Sequence, residues 1–152
     1  MKPKIGLAAL MVWCAAIFAQ VLPGYAQTLG EEPRRGSVER TQLLNTVRPA
    51  AELELGLPVE FVVRHLRVDG PWAFLAGDMQ KPGGVAIQCE EIRHPGDCGL
   101  MDGFSIFALL SRQGDRWRLR DMHIAPTDVS WSSWPDAYGV PCQLVLPDTF
   151  CR

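Results

Sequence analysis

Residues 103–112 and 116–124 read G-F-S-I-F-A-L-L-S-R and R-W-R-L-R-D-M-H-I, with only Gln113-Gly114-Asp115 between them. Two runs of mixed apolar and polar alternation joined by a short glycine turn are the signal of a β-hairpin. Such a pair commits the chain to an antiparallel sheet, and it has apolar positions that other elements must cover.

The preceding residues supply those elements. Ser37 is placed to cap a helix starting at Val38, and Val38, Leu44, Val47, Ala51 and Leu55 fall close to one helical stripe that Gly56 would end. Pro49 lacks a donor and restricts Arg48, which predicts a kinked helix or two short ones. Pro58 then opens V-E-F-V-V-R-H-L-R-V, and Asp69-Gly70-Pro71 turns the chain into W-A-F-L-A-G-D-M, a second strand pair. Trp72, Phe74 and Ala76 predict one apolar face on that strand, with Asp78 at its end. The expected fold class is α+β: one N-terminal, kinked helix packed on a four-stranded antiparallel meander, followed by a Trp-rich C-terminal tail.

The first residues set the compartment. Met1 to Lys4 is basic, Ile5 to Val21 is an uncharged apolar run, and Leu22-Pro23-Gly24-Tyr25-Ala26 combines a helix break with a small-residue cleavage site. That pattern predicts a secretory signal peptide over residues 1–26 in preference to an uncleaved anchor. Cys14 would leave with it, and no membrane span would remain. Residues 27–36 read as a flexible leader and 37–152 as a single domain. With Lys2 and Lys4 gone, 13 basic side chains face 17 acidic ones, a formal charge of −4. The absence of a basic cluster argues against nucleic acid as a partner.

Four cysteines remain, an even number in a chain expected to be exported, which reads as two disulfides. Cys89 with Cys98 and Cys142 with Cys151 is the favoured pairing, because each closes a local loop of eight residues. The crossed pairings, which would tie the tail to the middle loop, stay open. The long Gly- and Pro-containing excursion from Gln80 to Met101 is then a stapled surface loop or a functional one. Cys89, His94 and Cys98 have the residue types of a zinc site, but an oxidising compartment and the lack of a fourth ligand favour the disulfide, so no metal or other cofactor is expected.

A helix followed by a four-stranded meander, from Val38 to Ile124, resembles the element order of the cystatin-like and NTF2-like folds. The pieces Asp69-Gly70-Pro71-Trp72, the hairpin with Gly114 and Trp117, and Pro126-Thr127-Asp128-Val129-Ser130-Trp131-Ser132-Ser133-Trp134 are similar to small uncharacterised exported bacterial proteins. The resemblance implies fold and export. It does not imply cystatin activity, because the Q-x-V-x-G protease-blocking turn is missing after Ala26. The NTF2-like resemblance implies that a cone between sheet and helix could carry an acid or base at its floor.

Three sets of residues are candidates for chemistry. His65 and His123 sit on strands and could share a face with Asp121, the beginning of a general base, but no serine has an elbow-type context beside them. Asp78 and Asp121 each follow apolar strand positions, Trp117 and Leu119 in the second case, and at the rim of a cavity either could transfer protons. Trp131, Trp134 and Tyr138 stand at i, i+3 and i+7 and would make either a platform for a sugar or a partner protein, or a plug for the core. The expected role is non-catalytic binding of a protein or small ligand in the cell envelope, in the manner of an inhibitor. Glu90, Glu91 and Asp97 are the acids that could enter a lysozyme cleft. The alternative is a pocket-type enzyme or small-molecule carrier, and an enclosed cavity between helix and sheet would discriminate the two.

Overall fold

A computed structural model of the chain describes residues 30–151. The expected signal peptide and Cys14 lie outside the described residues. The helix α1 spans Val38–Leu55. It is followed by β1 (Glu60–Asp69), β2 (Trp72–Gln80), β3 (Ser105–Gln113) and β4 (Arg116–Ile124). The strands pair antiparallel in the order β1-β2-β3-β4, the expected meander. Beyond β4 come a 3-10 turn at Ser130–Ser133 and two short helices, α2 (Trp134–Tyr138) and α3 (Cys142–Val145).

α1 runs through Pro49 as one helix rather than two. Pro49 and Asn45 are both exposed, so water can take the Asn45 carbonyl that proline leaves without a donor. At the start, Ser37 Oγ accepts the Arg40 amide at 3.1 Å. At the end, Gly56 adopts a left-handed φ of 77° and donates to Glu52 O. The buried stripe is Arg40, Leu43, Val47, Ala51 and Leu55. Counting back by fours from Leu55 reaches Leu43, so Leu44 is only partly buried and Val38 is exposed.

The sheet is covered on both faces, and two separate clusters result. α1 closes one side over Leu66, Ala73, Leu75, Ile106, Ala108, Leu110 and Trp117. The tail closes the other over Phe74, Ala76 and Leu109, bringing Trp134, Val140, Leu144 and Val145. The tail therefore does not plug the helix–sheet core. It builds a second core behind the sheet, and Phe74 and Trp117 face opposite ways.

Two β-bulges decide which side chain goes where. The β1–β2 register shifts between Val63 and His65, leaving Arg64 as the extra residue. The β3–β4 register shifts between Leu109 and Leu110, whose partners are Asp121 and Leu119, leaving Arg120 extra. Each bulge reverses the alternation of its strand. Phe61 and Val63 face the helix before the first bulge, and Leu66 and Val68 after it. Trp117 and Leu119 face the helix before the second, and Met122 and Ile124 after it. Gly77, opposite Val63, permits the first bulge, because a Cβ there would lie 2.6 Å from Val62 O.

The described part of the expected flexible leader, residues 30–36, is docked. Glu31 bridges to Val68 on the outer edge of β1, with Val68 N donating to Glu31 O at 2.9 Å. The nearly buried Arg40 side chain donates to Pro33 O at 3.2 Å. An edge strand leaves amides without partners, and this segment covers one of them.

Candidate functional site

Asp121 is the centre of the most connected polar cluster. The bulge at Arg120 turns it to the tail side, opposite Leu109, and away from the face of Trp117 and Leu119 on which simple alternation places it. Its Oδ2 accepts from Trp134 Nε1 and from the Tyr138 hydroxyl, each at 2.9 Å. Its Oδ1 accepts from Met122 N at 2.8 Å and lies 3.7 Å from His123 Nε2. The Asp121 carboxylate beside the Tyr138 hydroxyl, together with desolvation, raises the phenol above its ordinary value, and Arg120 opposes the shift.

His123 faces the same side. Its Nδ1 is 2.7 Å from Ser130 Oγ, and its ring meets the Trp134 ring edge-on at 5.3 Å. Ser130 is thus the partner that sequence spacing did not reveal, since a 3-10 turn and the left-handed Ala125 (φ 48°) bring it back over β4. A serine, an imidazole and a carboxylate in a row have the composition of an acyl-transfer relay. Here the carboxylate is capped by Trp134 and Tyr138, and Ser130 N is held by Asp128 Oδ1 at 3.0 Å. The cluster clasps the tail to the sheet.

His65 does share the face of His123. The register links His65, Ala76, Phe107 and His123 in one cross-strand row. They stand at opposite edges of the sheet, three strand spacings or about 14 Å apart, too far to act together. Asp78 lies past the end of the tail-side cluster, half exposed and 3.4 Å from Arg64 Nη2.

The three aromatics of the tail divide their roles. Trp134 is 2% exposed and packs edge-on against Phe74 at 6.1 Å, so it is core. Tyr138 is half-buried and fastened through its hydroxyl. Trp131 stacks on Phe107 at 3.6 Å with 7° between the planes, which uses one face of the indole. A flat platform of all three does not form, because a 3-10 turn precedes α2 and Trp134 is driven inward.

Both disulfides, Cys89 to Cys98 and Cys142 to Cys151, form in the favoured local pairing. Among the described residues no group of three or more His, Cys, Asp or Glu side chains gathers as a metal site. The first disulfide loop docks on the end of α1: Ile92 is buried there and Arg93 N donates to Leu55 O at 2.7 Å. Glu91 is committed inside the loop, with Lys81 Nζ at 2.7 Å from its carboxylate and Gln88 N at 3.0 Å. Lys81 and the Gln88 amide hold its pKa below the ordinary carboxylate value. Of the three acids that could enter a cleft, Glu90 and Asp97 are exposed and have no side-chain partner among the described residues.

Beside this loop is a half-open recess of about 150 Å³, lined by Glu54, Leu55, Ile92, His94, Asp97, Met101 and Ile124. Between α1 and the sheet the side chains Leu43, Val47, Leu66, Leu75, Ile106 and Leu110 are fully buried. No family model, curated protein or solved structure matches the chain.

Proposed function

We propose that the chain is an exported binding domain of the cell envelope that engages a protein partner with a rigid surface and performs no turnover. The observation that carries this reading is the packed space between α1 and the sheet, whose lining side chains are fully buried. A pocket enzyme or small-molecule carrier of the NTF2-like kind needs an enclosed chamber of at least about 300 Å³. The recess beside the first disulfide loop has half that volume and is open. Export is supported by the two disulfides, which persist in oxidising compartments, and by the signal-like start of the sequence. An inhibitor-like mode suits a domain with exposed apolar side chains beside its disulfide clips: Phe150 inside the second disulfide loop, and Leu100 two residues past Cys98.

The test is site-specific photo-crosslinking in the producing cell, with the probe at Leu100 and, as a control, at the equally exposed Val38. The expected result is one discrete protein adduct from Leu100 and none from Val38, with the captured protein rebinding the purified chain. Adducts absent from both positions, or a small molecule retained in stoichiometric amount by native mass spectrometry, would overturn the reading. Labelling of Ser130 by a fluorophosphonate would favour an enzyme instead.

A further inference from the structure

Resting on that binding reading, we propose that the recess at the C-terminal end of α1 receives one basic side chain, an arginine or lysine presented by the protein partner. A helix C-terminus carries a partial negative charge, and chains ordinarily place Lys or Arg in the last turn to offset it. α1 has no basic residue in its last turn. It has Glu52 and Glu54 there instead, both of which oppose the helix dipole. Glu52 is explained locally, since its Oε1 accepts the Val59 amide at 3.2 Å. Glu54 has no hydrogen bond or ion pair among the described residues, and it lines the recess.

The lining includes a second carboxylate. Asp97 comes from the first disulfide loop and likewise lacks a partner among the described residues. Arg93 lies close by on the same loop, yet forms no ion pair with either acid. Beside the two acids the lining holds the exposed His94 and an apolar part, in which Leu55 and Ile92 are buried and Met101 and Ile124 partly so. A long basic side chain has that same division, with an aliphatic stem for the apolar lining and a cation for the two acids. The volume suits one such group, since a cavity of about 150 Å³ holds a single benzene-sized moiety. A divalent cation is a poor occupant, because no group of three ligating side chains gathers there. Leu100, 75% exposed and next to Met101 in the sequence, is an apolar side chain that a partner at the recess would cover.

The experiment is a nitrogen-15 NMR titration of the oxidised chain with N-acetyl-arginine methylamide, N-acetyl-lysine methylamide and the uncharged N-acetyl-norleucine methylamide. The basic amides are expected to give saturable shifts at Leu55, Ile92, Asp97, Met101 and Ile124, with the norleucine amide about tenfold weaker. The Glu54→Gln/Asp97→Asn pair, at exposed and unpaired positions, should keep its fold and lose about tenfold in affinity for the basic amides. Equal binding of the norleucine amide, shifts scattered over the surface acids, or no saturable shift would each overturn the proposal. A Leu100 crosslink that survives undiminished in the Gln/Asn variant overturns the recess while leaving protein binding intact. Loss of the crosslink in the parent chain removes the broader reading itself.

Discussion

Replacing Asp121 by alanine removes the carboxylate that fastens the tail to β4. Two donors of the tail lose their acceptor, Trp134 Nε1 and the Tyr138 hydroxyl, both at 2.9 Å, and the partly exposed Met122 amide loses Oδ1 at 2.8 Å. A hydrogen bond to a charged group contributes about 1.5–3 kcal/mol, and a buried donor left unpaired costs about 1–3 kcal/mol. The full sum does not apply here. The Asp121 side chain is 31% exposed and Tyr138 only half-buried, so water can replace one of the two bonds. Trp134 has no such recourse, because its indole lies between Phe74 and the His123 ring. The expected loss is therefore about 2–4 kcal/mol, a substantial part of a typical 5–15 kcal/mol. At roughly 3–5 °C per kcal/mol for a domain of this size, Tm should fall by about 6–20 °C. Urea unfolding followed by tryptophan fluorescence would measure it, with the Trp134 indole proton followed by NMR for loss of exchange protection. Asp121→Asn, which keeps an oxygen acceptor and loses the charge, should cost about half as much. If Asp121→Ala unfolds within about 0.5 kcal/mol of the parent, as ordinary surface substitutions do, and the indole proton stays protected, the clasp argument is refuted and apolar packing alone holds the tail.

The Tyr138 shift gives a pH signature of the same contact. A phenol raised in the folded state favours the neutral form there, so its stabilisation is complete below the ordinary value of 10.0 and is lost as pH rises through the higher folded value. The chain has two tyrosines, and Tyr25 falls in the expected signal peptide, so ultraviolet titration of residues 27–152 reads Tyr138 alone. Its midpoint should lie above 10.0 and return toward it in Asp121→Ala; identical midpoints would contradict the contact. Gly77→Ala should cost about 1–3 kcal/mol in urea unfolding, since its Cβ would meet backbone at the β1 bulge, 2.6 Å from Val62 O. A neutral result would show that the bulge can relax.

Much of the architecture is carried by local chemistry in the residues. Ser37 and Gly56 mark the helix ends, and the Gly70 and Gly114 turns separate the strands of each hairpin. The nearest cysteines pair because loops of eight residues keep them close. Even the two-sided burial of the central strands leaves a trace, since W-A-F-L-A-G and I-F-A-L-L are continuous apolar runs rather than strict alternations. Phe74 and Trp117 accordingly pack in different cores, on opposite faces of the sheet.

The candidate site was less legible. Period-two alternation places Trp117, Leu119, Asp121 and His123 together, and a single extra residue at Arg120 separates the first two from the last two. Nothing in R-W-R-L-R-D-M-H-I marks a bulge, because bulge position depends on which partner residues need covering across the sheet. The same holds for Ser130, which meets His123 in a tail whose Trp134 packs edge-on against Phe74 from a distant strand. Local chemistry settles caps, turns and nearby crosslinks because the interacting atoms are neighbours along the chain. Which face a side chain joins, and whether the space beneath the helix is open or packed, depends on surfaces brought together from distant segments, and only the tertiary structure decides it.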